Sequence, residues 1–103
     1  MIAITVLYPK TETSTFDLKY YHDTHMKLVA DKWGPMGLKG SSVLHGMPGP
    51  DGSAPAFAVI TTLNFESLEA FGKAAQAHGA EIMGDIANFT NAQPVLQFNE
   101  IAG

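Results

Sequence analysis

Residues 16–34 read FDLKYYHDTHMKLVADKWG and carry the longest helical pattern in the chain. Asp17 is a favourable N-cap, because its carboxylate can accept a hydrogen bond from the free amide of Tyr20. Phe16 precedes this cap and Tyr21 follows it by four residues, which fits a hydrophobic staple. The sequence therefore predicts that a helix starts at this point.

The helix is predicted to end at Gly34-Pro35, where glycine permits a left-handed cap and proline cannot continue the helix. At about 100° per residue, one face is apolar and carries Leu18, Tyr21, His25, Leu28, Val29 and Trp33. The opposite face carries Lys19, Asp23, Lys27 and Asp31. His25 lies near the middle of the apolar face, His22 lies on its shoulder, and Tyr20 points away from it. A titratable ring directed inward needs a partner or a cavity, so His25 is the main functional clue.

The composition indicates a globular protein and argues against several function classes. The 103 residues fit a single domain, residues 1–103, and the chain is 46% hydrophobic and 16% charged. A net charge of −4 with six Lys and Arg residues argues against nucleic-acid binding. Because cysteine is absent, disulfides, thiolate chemistry and zinc–cysteine sites are excluded. We find no signal-peptide pattern and no membrane-spanning run, so we expect a cytoplasmic protein without a membrane partner.

The other predicted elements complete a β-α-β-β-α-β order. Strands are predicted at residues 2–8, 38–47, 56–63 and 94–101, with a mobile loop at 48–55. Right-handed crossovers fold this order into an α+β, ferredoxin-like sheet of four antiparallel strands with both helices on one face. The strands IAITVL and AFAVIT are apolar or β-branched at both parities, as in sheets that are covered on both faces. We infer a homodimer in which a second copy covers the other face.

The second helix is predicted to follow caps at residues 64–67. Its inner face is expected to carry Leu68, Phe71, Ala75 and His78. Gly79 is expected to break or kink this helix, leaving a short further turn at residues 80–86.

The segment FDLKYYHDTHMKLV resembles the signature of the EthD-like family. Members open their first helix with Phe-Asp and a Tyr-Tyr pair, and carry a histidine four residues after the second tyrosine. The matching residues here are Phe16, Asp17, Tyr20, Tyr21 and His25. The stretch FESLEA at residues 65–70 is similar to the start of the family's second helix. Many members follow the histidine with Met-Pro-Leu, where this chain has Lys27 on its predicted solvent face.

The resemblance implies a homodimer of the dimeric α+β barrel superfamily with a pocket between sheet and helices. It also implies a role in small-molecule degradation (catabolism) or polyketide-type chemistry. Family members often carry a reductase label, but this sequence has no dinucleotide fingerprint, cysteine pair or flavin motif. Related barrels include cofactor-free isomerases, cyclases and monooxygenases, so the fold alone does not decide the reaction.

Two interpretations of the central histidine follow. His25 acts as a general acid/base in an apolar pocket, since its ordinary pKa is about 6.5, or it is a buried neutral imidazole bonded to a carbonyl or tyrosine. Tyr21, one turn earlier, orients the imidazole or binds a substrate oxygen; the alternative is a core aromatic with a satisfied hydroxyl.

The other chemistry-bearing residues favour no metal. His22 and His25 are spaced as a helical metal pair, but a site needs further ligands, and the sequence brings neither His45 nor His78 close. His45 lines the pocket from the sheet or faces solvent, and His78 is expected at a helix C-terminus. Five residues are expected to line a substrate pocket, with core packing as the alternative for the aromatic ones: Trp33, His45, Phe57, Phe71 and Phe89.

Three functions remain open. The first is a cofactor-independent enzyme that moves a proton on an apolar carbonyl- or phenol-bearing small molecule, in isomerisation, cyclisation, dehydration or oxidoreductase-type oxidation by dioxygen. The second is a non-catalytic accessory protein that binds a pathway intermediate. The third is a haem-binding barrel. A Soret band in haem-supplemented protein would reveal it, and we expect none.

Overall fold

The computed structural model describes residues 1–103 and contains four strands and two long helical segments. The strands are β1 (Ile2–Pro9), β2 (Leu38–His45), β3 (Phe57–Phe65) and β4 (Val95–Glu100). The first helix consists of α1 (Leu18–Tyr20), one π turn (Tyr21–His25) and α2 (Met26–Trp33). The second helix is α3 (Leu68–Asp85), followed by a 3-10 turn (Ile86–Asn88).

All strand pairs are antiparallel, in the order β2-β3-β1-β4. Both helices pack on one face, because Val29, Trp33, Ala74 and Ile82 share a core cluster with Ile4, Leu63 and Phe65 of the sheet. The predicted α+β, ferredoxin-like arrangement is therefore confirmed.

The first helix begins as its local sequence predicts. Tyr20 N donates to Asp17 Oδ1 over 3.0 Å, and the Phe16 and Tyr21 ring centroids lie 5.1 Å apart. The α-helix ends at Gly34 as predicted, but without the predicted left-handed cap. Gly34 is right-handed, with φ −52°, and the left-handed residue is Gly37, with φ 107°. The chain continues through a 3-10 turn (Gly34–Met36), because proline is tolerated in the first turn of a helical segment.

The second helix corrects two expectations. Ser67 caps it through Ala70 N (3.0 Å), but Gly79 does not break it, and α3 runs as one helix to Asp85. A glycine in a helix interior costs only about 1 kcal/mol relative to alanine, which the packing of α3 on the sheet outweighs. Leu68 is 59% exposed, so it does not belong to the inner face.

The face of the sheet opposite the helices combines an apolar row with polar ones. Register places one outward-facing apolar residue from each strand side by side: Leu44, Ile60, Leu7 and Val95. The next outward row is polar: Ser42, Thr62, Thr5 and Gln97. Leu44 is 61% exposed and Val95 53% exposed, so this apolar row faces outward without cover from the chain itself.

Candidate functional site

A cavity of about 210 Å³ lies between the helices and the sheet. Seventeen residues line it, fourteen of them hydrophobic. Five lining side chains carry a nitrogen or oxygen: Tyr8, Tyr21, His25, Trp33 and Thr61. Because Trp33 Nε1 already donates to Ala74 O (2.9 Å), the polar chemistry of the cavity comes from the other four.

The π turn positions the two residues that the sequence singles out. It is closed by a bond from Met26 N to Tyr21 O, one residue wider than the bond of an α-helix. Within it the rings of Tyr21 and His25 stack, with centroids 5.4 Å apart and planes at 17°. Single π turns inside α-helices occur frequently at functional sites. The turn therefore gives Tyr21 and His25 a shared, fixed orientation toward the cavity.

His25 is held by a carboxylate from the other helix. Its side chain is 4% exposed, and Nδ1 lies 2.9 Å from Oδ2 of Asp85, the last residue of α3. Asp85 Oδ1 also accepts hydrogen bonds from Tyr20 Oη (2.6 Å) and Asn88 Nδ2 (3.0 Å). Tyr20, which the sequence places away from the core, thus supports the carboxylate that holds the imidazole.

The electrostatics of this pair favour a neutral imidazole. Burial lowers the pKa of His25 below its ordinary value, although the nearby Asp85 carboxylate acts in the opposite direction. Burial opposes ionisation of Asp85, but the hydrogen bonds from Tyr20, Asn88 and His25 outweigh it and lower the pKa of Asp85. With the carboxylate ionised and the ring neutral, Nδ1 carries the proton and donates a hydrogen bond to Asp85 Oδ2. Nε2 is then left with a free lone pair.

The second nitrogen of the His25 ring is left without a protein partner. The hydrogen bond of His25 to Asp85 is made by Nδ1, and the His25 side chain lines the cavity. An unpaired imidazole nitrogen in an apolar cavity is a ready proton acceptor.

A second polar group of the cavity consists of hydroxyls. Tyr21 Oη forms a hydrogen bond with Thr61 Oγ1, and the Tyr8 ring meets the Tyr21 ring edge to face at 5.9 Å. Burial raises the pKa of both Tyr8 and Tyr21, so their hydroxyls stay protonated at neutral pH. They are available as hydrogen-bond donors rather than as bases.

The structure brings together some of the predicted pocket residues and separates others. Trp33 and Phe71 line the cavity. Phe89 packs on the His25 ring, with centroids 4.6 Å apart, outside the cavity lining. Phe57 lies at the start of β3, outside the cavity, in a shallow surface cleft. His45 also lies outside the cavity; it is exposed at the end of β2, with Nε2 2.8 Å from His22 Nε2.

Three residues of the site escape sequence reasoning. Asp85 is sixty residues from His25 in sequence, and its only signal is a lone carboxylate in the apolar stretch IMGDI. Tyr8 and Thr61 point inward on strands whose register the sequence does not reveal.

His78 lies inside α3 rather than at its end, and its Nδ1 pairs with Glu81 Oε1 over 3.0 Å. No group of three or more His, Cys, Asp and Glu side chains is close enough to hold a metal ion.

A four-stranded antiparallel sheet with two helices on one face and an apolar cavity between them defines a ferredoxin-like α+β protein. The EthD domain family model matches residues 9–93, and this chain belongs to the EthD family. None of its helices combines the length and hydropathy that crossing a membrane requires.

Solved structures agree with this assignment. An EthD-like protein from Ralstonia eutropha JMP134 is 41% identical, with a TM-score of 0.92 over 99% of this chain and 92% of that one. An ethyl tert-butyl ether D (EthD) family protein from Bacillus halodurans C-125 is 21% identical, with a TM-score of 0.77 over 99% of both chains. A dimeric ferredoxin-like protein from an uncultured marine organism shares the fold at 9% identity, with a TM-score of 0.55 over 100% of this chain and 96% of that one. No curated protein matches the sequence.

Proposed function

We propose that this protein is a small cofactor-independent enzyme that moves a proton on an apolar carbonyl- or phenol-bearing molecule. The observation that carries the proposal is the His25 imidazole, which lines an apolar cavity while its Nδ1 is held by Asp85. His25 is the proposed general base, and Tyr21 and Tyr8 are the proposed hydroxyl donors. Trp33 and Phe71 are the proposed walls of the substrate site. The same proposal includes that residues 1–103 form a single domain and that the protein is cytoplasmic.

The size of the cavity limits the substrate. An apolar cavity of about 150 Å³ accepts benzene, whereas sites for drug-sized ligands span roughly 300–1,000 Å³. At about 210 Å³ this cavity suits a single substituted ring or a chain of similar bulk. Fused-ring polyketides and haem are larger, so the volume favours neither as the occupant.

The proposed reaction begins with proton transfer from the carbon beside a carbonyl, or from a phenol, to His25 Nε2. The imidazolium formed is stabilised by the Asp85 carboxylate 2.9 Å from Nδ1. A tyrosine hydroxyl in the cavity donates to the developing oxyanion, which is the charge that needs stabilisation in this step. Return of the proton to a different atom completes an isomerisation, and cyclisation or dehydration can follow from the same first step. In the oxidoreductase form of the proposal, dioxygen oxidises the carbanion: one oxygen atom replaces the two hydrogens of the reacting CH2 group as a carbonyl oxygen, and the other leaves as water. Either form belongs to a proposed catabolic or polyketide-type pathway.

The test uses two single-ring ketones, cyclohexanone and acetophenone, in D2O. Proton NMR measures the loss of the hydrogens beside the carbonyl with wild-type protein, His25→Gln and the matched control His78→Gln. We expect exchange by the wild type and the control, and a loss of about 10²- to 10⁴-fold in His25→Gln, the usual contribution of a general base. Exchange by folded His25→Gln at the wild-type rate would refute the assignment of His25.

A second candidate is a non-catalytic accessory protein that binds a pathway intermediate in the same cavity. One observation favours it: burial lowers the pKa of His25 and raises the pKa of Tyr8 and Tyr21, so every titratable group of the lining favours its neutral form, as in a site that only binds. Native mass spectrometry of the purified protein identifies any retained molecule. Release of that molecule unchanged, without ketone exchange by the wild type, would establish this candidate instead of the enzyme.

The proposed partner is a second copy of the chain on the outer face of the sheet. The support is the apolar row defined above, in which Leu44 and Val95 are more than half exposed. Light scattering is expected to show a dimer, and Ile60→Lys in the middle of the row is expected to give a monomer. A wild-type monomer at all concentrations would overturn this part of the proposal.

A further inference from the structure

Two histidines meet on the surface at a distance suited to a metal ion. His22 lies in the π turn of the first helix and His45 at the end of β2. Their Nε2 atoms are 2.8 Å apart and their ring centroids 5.0 Å apart. Both side chains are exposed, and neither lines the cavity assigned above. The pair is therefore independent of the proposed function.

We propose that His22 and His45 form a two-imidazole site for a divalent transition metal, with Cu²⁺ preferred over Ni²⁺ and Zn²⁺. Neutral imidazole is a common ligand for all three ions. Two ligand nitrogens about 2.0 Å from a metal and at right angles lie about 2.8 Å apart, whereas a tetrahedral angle separates them by about 3.3 Å. The observed Nε2–Nε2 distance of 2.8 Å is within reach of one ion, and the ring centroids 5.0 Å apart show that the two rings now point end to end, so both exposed side chains must turn to direct their lone pairs at the ion. The general order of affinities places Cu²⁺ first.

The surroundings leave room for the remaining ligands to be water. A recess of about 230 Å³ adjoins His45 and is lined in part by Lys10, Ser14 and Thr15. No carboxylate joins the pair to make a group of three, and Lys10 adds a positive charge to the same recess. We therefore expect a site weaker than one with three or four protein ligands, although the net charge of −4 favours a cation overall.

The consequence for the fold is a metal link between the π turn and the edge strand β2. The π turn also carries Tyr21 and His25, so the ion would tie this turn to the sheet. An ion that binds only the folded state stabilises that state by RT ln(1 + L/Kd), where L is the free ion concentration, so the effect grows as the ion is added.

The test is calorimetric titration of tag-free protein with CuCl2, followed by electron paramagnetic resonance of the bound ion. We expect one Cu²⁺ per chain, with coupling to two imidazole nitrogens and a thermal midpoint that rises with Cu²⁺. Loss of an outer-shell partner already lowers metal affinity about 10- to 100-fold, so His22→Ala and His45→Ala should each cost at least about tenfold. His78→Ala is the matched control, because His78 is bonded only to Glu81 on α3, and it should bind as the wild type does.

Several outcomes would overturn the site. Equal Cu²⁺ affinity in wild type, His22→Ala and His45→Ala would place the ion elsewhere. Absence of stoichiometric binding by the wild type, with a lower thermal midpoint in metal-free His45→Ala, would make the pair a simple hydrogen bond. Tighter binding of Zn²⁺ than of Cu²⁺ would contradict the preference that the general order of affinities predicts. Circular dichroism of each variant confirms that it is folded.

Discussion

Asp85→Asn tests the carboxylate that joins the two helices. Asp85 accepts from His25 Nδ1 at 2.9 Å, Tyr20 Oη at 2.6 Å and Asn88 Nδ2 at 3.0 Å. Its side chain is 13% exposed and that of His25 is 4% exposed, so the pair is shielded from water. Asparagine keeps the shape but removes the charge and replaces one acceptor oxygen with a donor group.

The expected magnitude follows from these bonds. A hydrogen bond to a charged group contributes about 1.5–3 kcal/mol, and a buried donor left without a partner costs about 1–3 kcal/mol. Asp85→Asn therefore loses about 2 kcal/mol of unfolding free energy at pH 7. For a chain of this length, each kcal/mol lowers the thermal midpoint by about 4–8 °C. The pKa of His25 falls further, because the carboxylate that favours the imidazolium is gone while the burial remains.

The assay combines urea denaturation with NMR titration of the His25 ring in wild type, Asp85→Asn, His25→Gln and the double variant. A coupling free energy of about 0.5–3 kcal/mol is expected between the two positions, as for residues in direct contact. Asp23→Asn is the control, because Asp23 is an exposed partner of Lys19 and should leave the thermal midpoint unchanged. A His25 pKa that is the same in wild type and Asp85→Asn, together with zero coupling, would refute the reasoning.

Three further predictions follow from single contacts. Because burial lowers the pKa of His25, the unfolded chain binds more protons than the folded chain below pH ~6.5. The urea midpoint of the wild type should therefore fall as the pH drops from 7.5 to 5.5, and that of His25→Gln should fall less. Gly79→Ala should raise the free energy of unfolding by up to about 1 kcal/mol, the difference in helix propensity, and so raise the thermal midpoint, since its Cβ would meet Ala75 Cβ at an ordinary 3.6 Å. Bulky ligands should bind more weakly to this variant, because Gly79 lines the cavity. Thr61→Val should cost about 1–3 kcal/mol in urea titration by leaving the Tyr21 hydroxyl without its partner, and an unchanged midpoint would show that water replaces Thr61.

Local signals in the sequence were sufficient for the start of the first helix. The Asp17 cap and the contact of Phe16 with Tyr21 each depend on residues within five positions of one another. The inward position of His25 follows from helical period alone. The π turn does not, because it shifts one hydrogen bond without changing which residues are apolar. The pattern therefore predicted His25 correctly as buried but could not predict its stacking on Tyr21.

Non-local contacts explain what the sequence could not provide. Asp85 reaches His25 only because α3 stays helical through Gly79, where local propensity predicts a break. If the helix broke at Gly79, the chain that follows would not be directed to place the Asp85 carboxylate beside His25. His45 reaches His22 because β2 ends beside the π turn, a proximity that depends on strand order rather than on spacing in the chain.

The cavity itself argues for a ligand. An unfilled apolar cavity costs about 24 cal/mol per Å³, so about 210 Å³ corresponds to roughly 5 kcal/mol if it were sealed and dry. Domains of this size are stable by only about 5–15 kcal/mol in total. Two of the five α3 residues that line the space, Ala75 and Gly79, are small, and a single larger side chain at either would fill much of it. A core under selection for stability alone would gain from such a side chain, whereas a site that must admit a small molecule loses its function. The small residues of α3 and the free lone pair of His25 are therefore explained together by an occupant of the cavity.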